Sequence, residues 1–187
     1  MVFVVFEGLD ASGKSTQARG LKEFLSARGR TVYLRFHPSD DCWSGVMARR
    51  FLLSQGRSAH FASAMFYILD VLRSVVASPW WLYDYVVFVR YLMGTAYLPS
   101  PLDRFAYHFF EALLPRPHRT FFLEVDPEEA YRRVVDGREE QEMFETPEQL
   151  RKIGGKALEL AQLNGWTVVD ANQSEEEVGI RIRAYFT

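Results

Sequence analysis

Residues 8–15 read Gly-Leu-Asp-Ala-Ser-Gly-Lys-Ser, the G-x-x-x-x-G-K-[ST] spacing of a phosphate loop, between the apolar run Val2–Phe6 and a segment of helical period. The spacing has a physical cause. Glycines let the backbone curl until consecutive N–H groups face inward, and an anion settles in that nest at the N-terminus of the following helix. Lys14 adds a mobile positive charge for outer phosphates, and the Ser15 hydroxyl can ligate Mg²⁺. The strand before and the helix after make a chance match improbable, and the full glycine-lysine-serine spacing sets the loop apart from the plainer reading, an ordinary strand-to-helix turn.

The rest of the chain repeats that unit. Five short apolar runs, Val2 to Phe6, Thr31 to Phe36, Tyr85 to Val89, Thr120 to Val125 and Trp166 to Val169, are nearly continuous rather than alternating. Strands covered on both faces read this way. Ala18, Leu21 and Leu25 form a one-sided stripe that Gly29 can close. This strand, helix, strand order predicts a right-handed crossover and a parallel pair. Residues 41–78 read as two helices, about Trp43 to Leu53 and Ala59 to Ala77, broken around Gly56. Another spans Leu102 to Leu114 before Pro115. Asp126-Pro127, Thr146-Pro147 and Ser174-Glu175-Glu176-Glu177 open three more, each with a capping side chain and an acidic first turn. The expected fold is α/β: a three-layer P-loop NTPase fold, with a mostly parallel sheet of about five strands flanked by helices. Ligands of such sheets collect beyond the carboxyl ends of the strands. There lie the phosphate loop, Arg35 to Pro38, Arg90-Tyr91 and Asp170 to Gln173.

Composition removes other classes. At 187 residues, 48% hydrophobic and 25% charged, the chain suits one sizeable core, 1–187, in a globular protein. A net charge of -2 gives no basic field for nucleic acid, while a small polyphosphate needs only a local positive site. Cys42 is the only cysteine, so a reducing, cytoplasmic setting is expected. Neither a secretory leader nor an apolar run of membrane-spanning length is visible. No His or Cys constellation for nucleophilic catalysis stands out, the four histidines being scattered.

Several strand ends, taken together, resemble the thymidylate kinase family of nucleoside monophosphate kinases. They are Phe6-Glu7-Gly8-Leu9-Asp10 running into Gly13-Lys14-Ser15-Thr16-Gln17, Arg35-Phe36-His37-Pro38, Arg90-Tyr91 with Ala96-Tyr97, and Phe122-Leu123-Glu124-Val125-Asp126-Pro127. The resemblance spans nearly the whole chain, and the first and last segments are the most specific. It implies that ATP gives its terminal phosphoryl group to a nucleoside monophosphate, in the first place dTMP to dTDP, with Mg²⁺ between the phosphates. It implies small nucleotide substrates, no nucleic acid, no membrane, and a homodimer as one assembly, for which Phe61 to Trp81 could supply an apolar face or simply be core.

Residue roles follow from the same resemblance. Lys14, Arg90, Arg138 and Asp10 would serve transfer. Gly8, Ala11, Ser12, Gly13, Lys14, Ser15 and Thr16 would surround the ATP phosphates, with Ser15 on the metal. Arg133, Ala171 and Gln173 would border the rest of ATP. On the acceptor, Asp10 would approach sugar or phosphate, Arg35 and Arg90 the phosphate, and Phe66 the base, with Asp70 and Tyr97 beside them. Residues 132–145 resemble the family's lid; with Ala11 rather than arginine in the loop, the lid would supply the catalytic arginine. Physics supports converging arginine forks at a phosphate nest, because phosphoryl transfer is mainly positioning and charge neutralisation. Each piece also has a plainer reading: Arg35 and Arg90 in surface ion pairs, Phe66 in the core, and the lid as a solvated loop.

Three positions depart from the family pattern. Val89 stands where Asp usually precedes Arg-Tyr, and Asp70-Val71 where an Asp-Arg pair usually reads the base. Arg73 cannot replace that arginine, since two residues turn the helix by about 200°. The lid carries Glu139, Glu140 and Glu142 beside Arg138, which would repel phosphates. Two alternatives therefore stand beside a dTMP kinase: a kinase of the same fold with another nucleotide or nucleoside acceptor, and a nucleotide-binding protein with little or no transfer activity.

Overall fold

Runs of Val, Phe and Leu without polar alternation can be buried on both faces only between layers of helices, and that is where they lie. The computed structural model describes residues 1–54, 57–97, 102–137 and 146–187. Its strands are β1 (Val2–Gly8), β2 (Val32–Phe36), β3 (Tyr85–Val89), β4 (Arg119–Glu124) and β5 (Thr167–Asp170). The helices are α1 (Lys14–Ser26), α2 (Trp43–Leu52), α3 (Arg57–Ala77), α4 (Leu102–Leu113), α5 (Pro127–Gly137), α6 (Pro147–Leu163) and α7 (Glu175–Arg183). Short 3₁₀ turns at Trp80–Leu82, Met93–Tyr97 and Ala184–Phe186 complete the described elements.

The strands form one parallel sheet in the order β2-β3-β1-β4-β5. One expectation needs correction: β1 and β2 are parallel but are not paired, because β3 lies between them. Burial explains the order. Val86 to Val89 of β3 are all buried, which suits an inner position, whereas most of β2 is only partly covered, which suits an edge. Chain direction across the sheet therefore reverses at the β3/β1 boundary, a switch point where the strand ends open a crevice.

Side-chain alternation divides the core. Val4 and Phe6 face a cluster with Leu21 and Leu25 of α1 and Val178 and Ile182 of α7. Phe3 and Val5 face the other way, against Tyr67 and Val71 of α3 and Tyr107 of α4. Predicted termini are built as the caps require. Ser174 and Glu177 exchange both bonds of a capping box, Thr146 Oγ1 accepts the Gln149 N–H at 3.4 Å, and Asp126 Oδ1 accepts that of Glu128 at 2.9 Å. Gly29 (φ 75) turns the chain out of α1. Among the described residues no helix is long and apolar enough to cross a membrane.

Candidate functional site

Burial of β1 on both sides fixes the start of the phosphate loop. Gly8 sits at φ 145, and a Cβ there would stand 2.6 Å from the Leu123 carbonyl oxygen and 2.7 Å from Ser12 Oγ. Only glycine allows so close an approach. Ala11 takes a left-handed φ of 58 and Gly13 one of 87, and Ser12 N–H closes a turn on Leu9 O at 3.2 Å. No side chain caps α1 and its first turn holds no acid. Ser15 and Thr16 stand in that turn, where first-turn N–H groups and the helix dipole favour an anion. The Lys14 side chain folds over the loop, donating to Leu9 O and approaching Ser12 Oγ at 3.4 Å. A polyphosphate fits this cradle.

Beside it, at the switch point, stands Arg90. Its backbone is left-handed (φ 64) and its guanidinium pairs with Asp10 of the loop. Glu7, 1% exposed, is the last residue but one of β1, with its carboxylate under the segment that follows Arg90. Its Oε1 accepts the N–H groups of Tyr91, Leu92 and Met93 at 2.9, 2.8 and 3.1 Å. Burial raises the Glu7 pKa, against the pull of those three donors and of Lys14. His37 reaches Arg90 O through Nδ1 at 2.9 Å. Burial lowers its pKa to about 4, despite the opposing charge of Asp70.

The expected acceptor residues split into two groups. Asp10 and Arg90 meet at the loop. Arg35 stands on the edge strand β2, its fork closed on Asp41 (2.5 and 2.7 Å) and its Nε donating to Ser74 Oγ at 3.1 Å. Those bonds raise the Arg35 pKa and hold the Asp41 carboxyl at about 2. Arg73 adds a contact to Asp41 at 3.4 Å. Asp70 is fully buried and accepts the Ser39 N–H and Oγ–H, each at 2.6 Å, so it fastens the β2–α2 connection to α3. Val71 is core, and so is Val89, whose side chain packs in the cluster around Phe6 and has no oxygen for a metal. Phe66 stacks on Phe51 with centroids 5.6 Å apart and meets Trp43 edge-on at 5.0 Å.

Beyond β5, at the sheet edge opposite β2, Arg133 and Ala171 come together. Arg133 Nη1 donates to Ala171 O at 3.2 Å and its Nε to Glu129 at 2.7 Å. Hydrogen bonds from Arg132 and Arg133 lower the Glu129 pKa to about 2. Gln173 folds back on Asp170 at 3.0 Å. Arg138 and the rest of the lid segment from 138 to 145 lie outside the described residues, as does the side chain of Tyr97.

Among the described residues no three His, Cys, Asp or Glu side chains gather as a metal cage. The Ser15 hydroxyl at a phosphate cradle fits a Mg²⁺ shared with substrate phosphates, the usual arrangement for this reluctantly dehydrated ion. The sequence did not mark Glu7 or Asp41 as site members, and it left His37 between a ligand contact and a turn or surface role, where the structure buries it against Arg90. Glu7 left one signal, a carboxylate near the end of an otherwise apolar strand.

The profile of the family described as thymidylate kinase matches residues 6–182. A probable thymidylate kinase of Pyrobaculum calidifontis is 31% identical over 184 residues, covering 95% of this chain and 91% of that one. Thymidylate kinase of Leptospira borgpetersenii is 31% identical over 159 residues, 81% of this chain and 77% of the other. That of Plasmodium falciparum is 27% identical over 186 residues, with coverages of 94% and 85%. A solved structure of thymidylate kinase from Candida albicans shares the fold with a TM-score of 0.76 at 21% identity, covering 99% of this chain and 90% of that chain.

Proposed function

Because the chain belongs to the thymidylate kinase family, we propose that it phosphorylates dTMP to dTDP with ATP as donor and Mg²⁺ as cofactor. The observation that carries this reading is the Asp10–Arg90 pair, which sets an anion-binding arginine directly on the mouth of the phosphate loop. Loop amides and Lys14 hold the donor phosphates, and Arg90 turns its planar fork to the acceptor phosphate. Asp10, already bound to Arg90, aligns that fork. Bound at Ser15, Mg²⁺ would supply charge neutralisation between the phosphates. The acceptor oxygen is itself a competent nucleophile, so the chain needs no general base, in accord with its scattered histidines. Residues 132–145 act as the lid, with Arg133 and Arg138 as its cations and Ala171 and Gln173 beside the adenine.

The chain 1–187 works as one kinase domain. Its single, free Cys42 and small nucleotide substrates suit the cytoplasm. The exposed row Phe61, Met65 and Leu69 on α3 serves as a homodimer face. A second reading, the same fold with another acceptor, is favoured by Val71, which puts no arginine at the expected base-reading position of α3, and by the engagement of Asp70 with Ser39. A coupled ADP-release assay over nucleoside monophosphates and nucleosides separates them. Turnover with dTMP well above the rest is expected; preference for another acceptor supports the second reading, and ATP binding without transfer to any acceptor overturns both.

A further inference from the structure

Arg90 holds a backbone conformation, φ 64, that residues with a long side chain seldom adopt. Contacts on two sides keep it there. Downstream, Glu7 gathers the amides of residues 91–93. On the other side stands His37, just beyond the end of β2. Its N–H donates to Val89 O at 3.0 Å, its Nδ1 lies 2.9 Å from Arg90 O, and Arg90 Nη1 donates back to His37 O at 3.4 Å. A carbonyl oxygen only accepts, so Nδ1 carries the proton. The ring is 2% exposed, edge-on to Phe88 with centroids 5.0 Å apart, and its Nε2 meets no hydrogen-bond partner among the described residues. A ring so enclosed is placed to support the groups around it rather than to exchange protons with a substrate.

We propose that His37 is a positioning residue for phosphoryl transfer: its Nδ1–H fixes the Arg90 carbonyl, and through it the direction in which the Arg90 guanidinium leaves the sheet toward the phosphate loop. This inference rests on the reading of Arg90 as the acceptor-phosphate ligand. It joins two strand ends in one device, since β2 supplies the ring and β3 the arginine. Asp70 and Arg35, the charged groups that act on the ring, oppose each other, and burial keeps the ring neutral near neutral pH.

The test uses two amides. Asn presents an N–H where Nδ1 stands, and Gln presents one where Nε2 stands, so His37→Asn keeps the bond and His37→Gln loses it. With dTMP and ATP, His37→Gln should lower kcat about tenfold and raise the dTMP KM severalfold with the ATP KM unchanged, while His37→Asn stays near the parent. In an Arg90→Met background His37→Gln should add no further loss, because His37 acts through Arg90. Parent-like kinetics in His37→Gln, equal impairment of both variants, or additive losses would overturn the proposal. Nitrogen NMR of the unaltered protein needs no variant to fold: it should show a neutral ring protonated at Nδ1 from about pH 6 to about pH 9. An Nε2–H ring, or a titration in that range, would also overturn it. A parent that transfers phosphate to no acceptor refutes the kinase reading instead, and the ring spectrum then decides the His37–Arg90 contact alone.

Discussion

A long side chain at positive φ costs roughly 1–3 kcal/mol and persists only where its surroundings over-determine it. Arg90 meets that condition through Glu7, Asp10 and His37. The task proposed for Lys14 is simpler, a point charge over the cradle across which its side chain folds. Lys14→Ala should lower kcat by about 10²- to 10³-fold, the usual consequence of removing one preorganised donor from a developing charge; a fully active variant would overturn the role of the loop. His37 also ties stability to pH. Its folded pKa of about 4 lies below the unfolded value of 6.5. Between those values the unfolded chain binds the extra proton, so stability is full above about pH 6.5 and is lost as pH falls toward about 4. At pH 5 the parent should have lost about 2 kcal/mol relative to pH 8, roughly 5 °C in Tm, that His37→Asn does not lose. Equal acid sensitivity in calorimetric melts of the two proteins would contradict a buried neutral ring.

The β2–α2 connection shows what one element can hide. Ser39 and Asp41 anchor it, the first on Asp70 and the second on Arg35. An acceptor phosphate aimed at Arg35 must displace the Asp41 carboxylate, which at a pKa of about 2 stays charged at any working pH. Asp41 is more than half exposed, so solvent screens the pair and holds its worth to about 1 kcal/mol or less. Asp41→Asn should therefore tighten dTMP binding about two- to fivefold, leave thymidine binding unchanged, and show the same gain at pH 6 and pH 8 in calorimetric titrations. Unchanged dTMP affinity would mark Arg35 as a structural clamp. Strands and capped helices were legible because continuous apolar runs and capping residues act locally: Thr146, Ser174 and Pro147 perform as their spacing predicts. Asp41 was not legible. Its partner Arg35 looks like a free strand-end cation until the fold brings the chain back, and the same holds for Asp70, fixed to Ser39 across 31 residues of sequence.

At the scale of the molecule, local pattern predicted a parallel sheet but not its order, because strand adjacency depends on which strand tolerates two buried neighbours. β3 does, and its insertion beside β1 brings Arg90 to the phosphate loop. Assembly is the next level of the same question. Phe61, Met65 and Leu69 recur every fourth residue on α3 and stay 44–59% exposed, with Trp43 and Val46 of α2 also exposed. A row of large apolar side chains at helical spacing presents one self-complementary strip, which a two-fold axis can bury. The helix beneath that strip also carries Asp70 and Ser74, which hold Ser39 and Arg35. Pairing would thus stiffen the wall of the acceptor site. Light scattering should return twice the 21.7 kDa chain mass. Met65→Glu, which sets like charges across the axis, should return the single mass and a dTMP KM raised about two- to tenfold with the ATP KM unchanged. A parent of single-chain mass would refute the dimer. A monomeric Met65→Glu protein with parental KM would show that the acceptor wall stands without a partner.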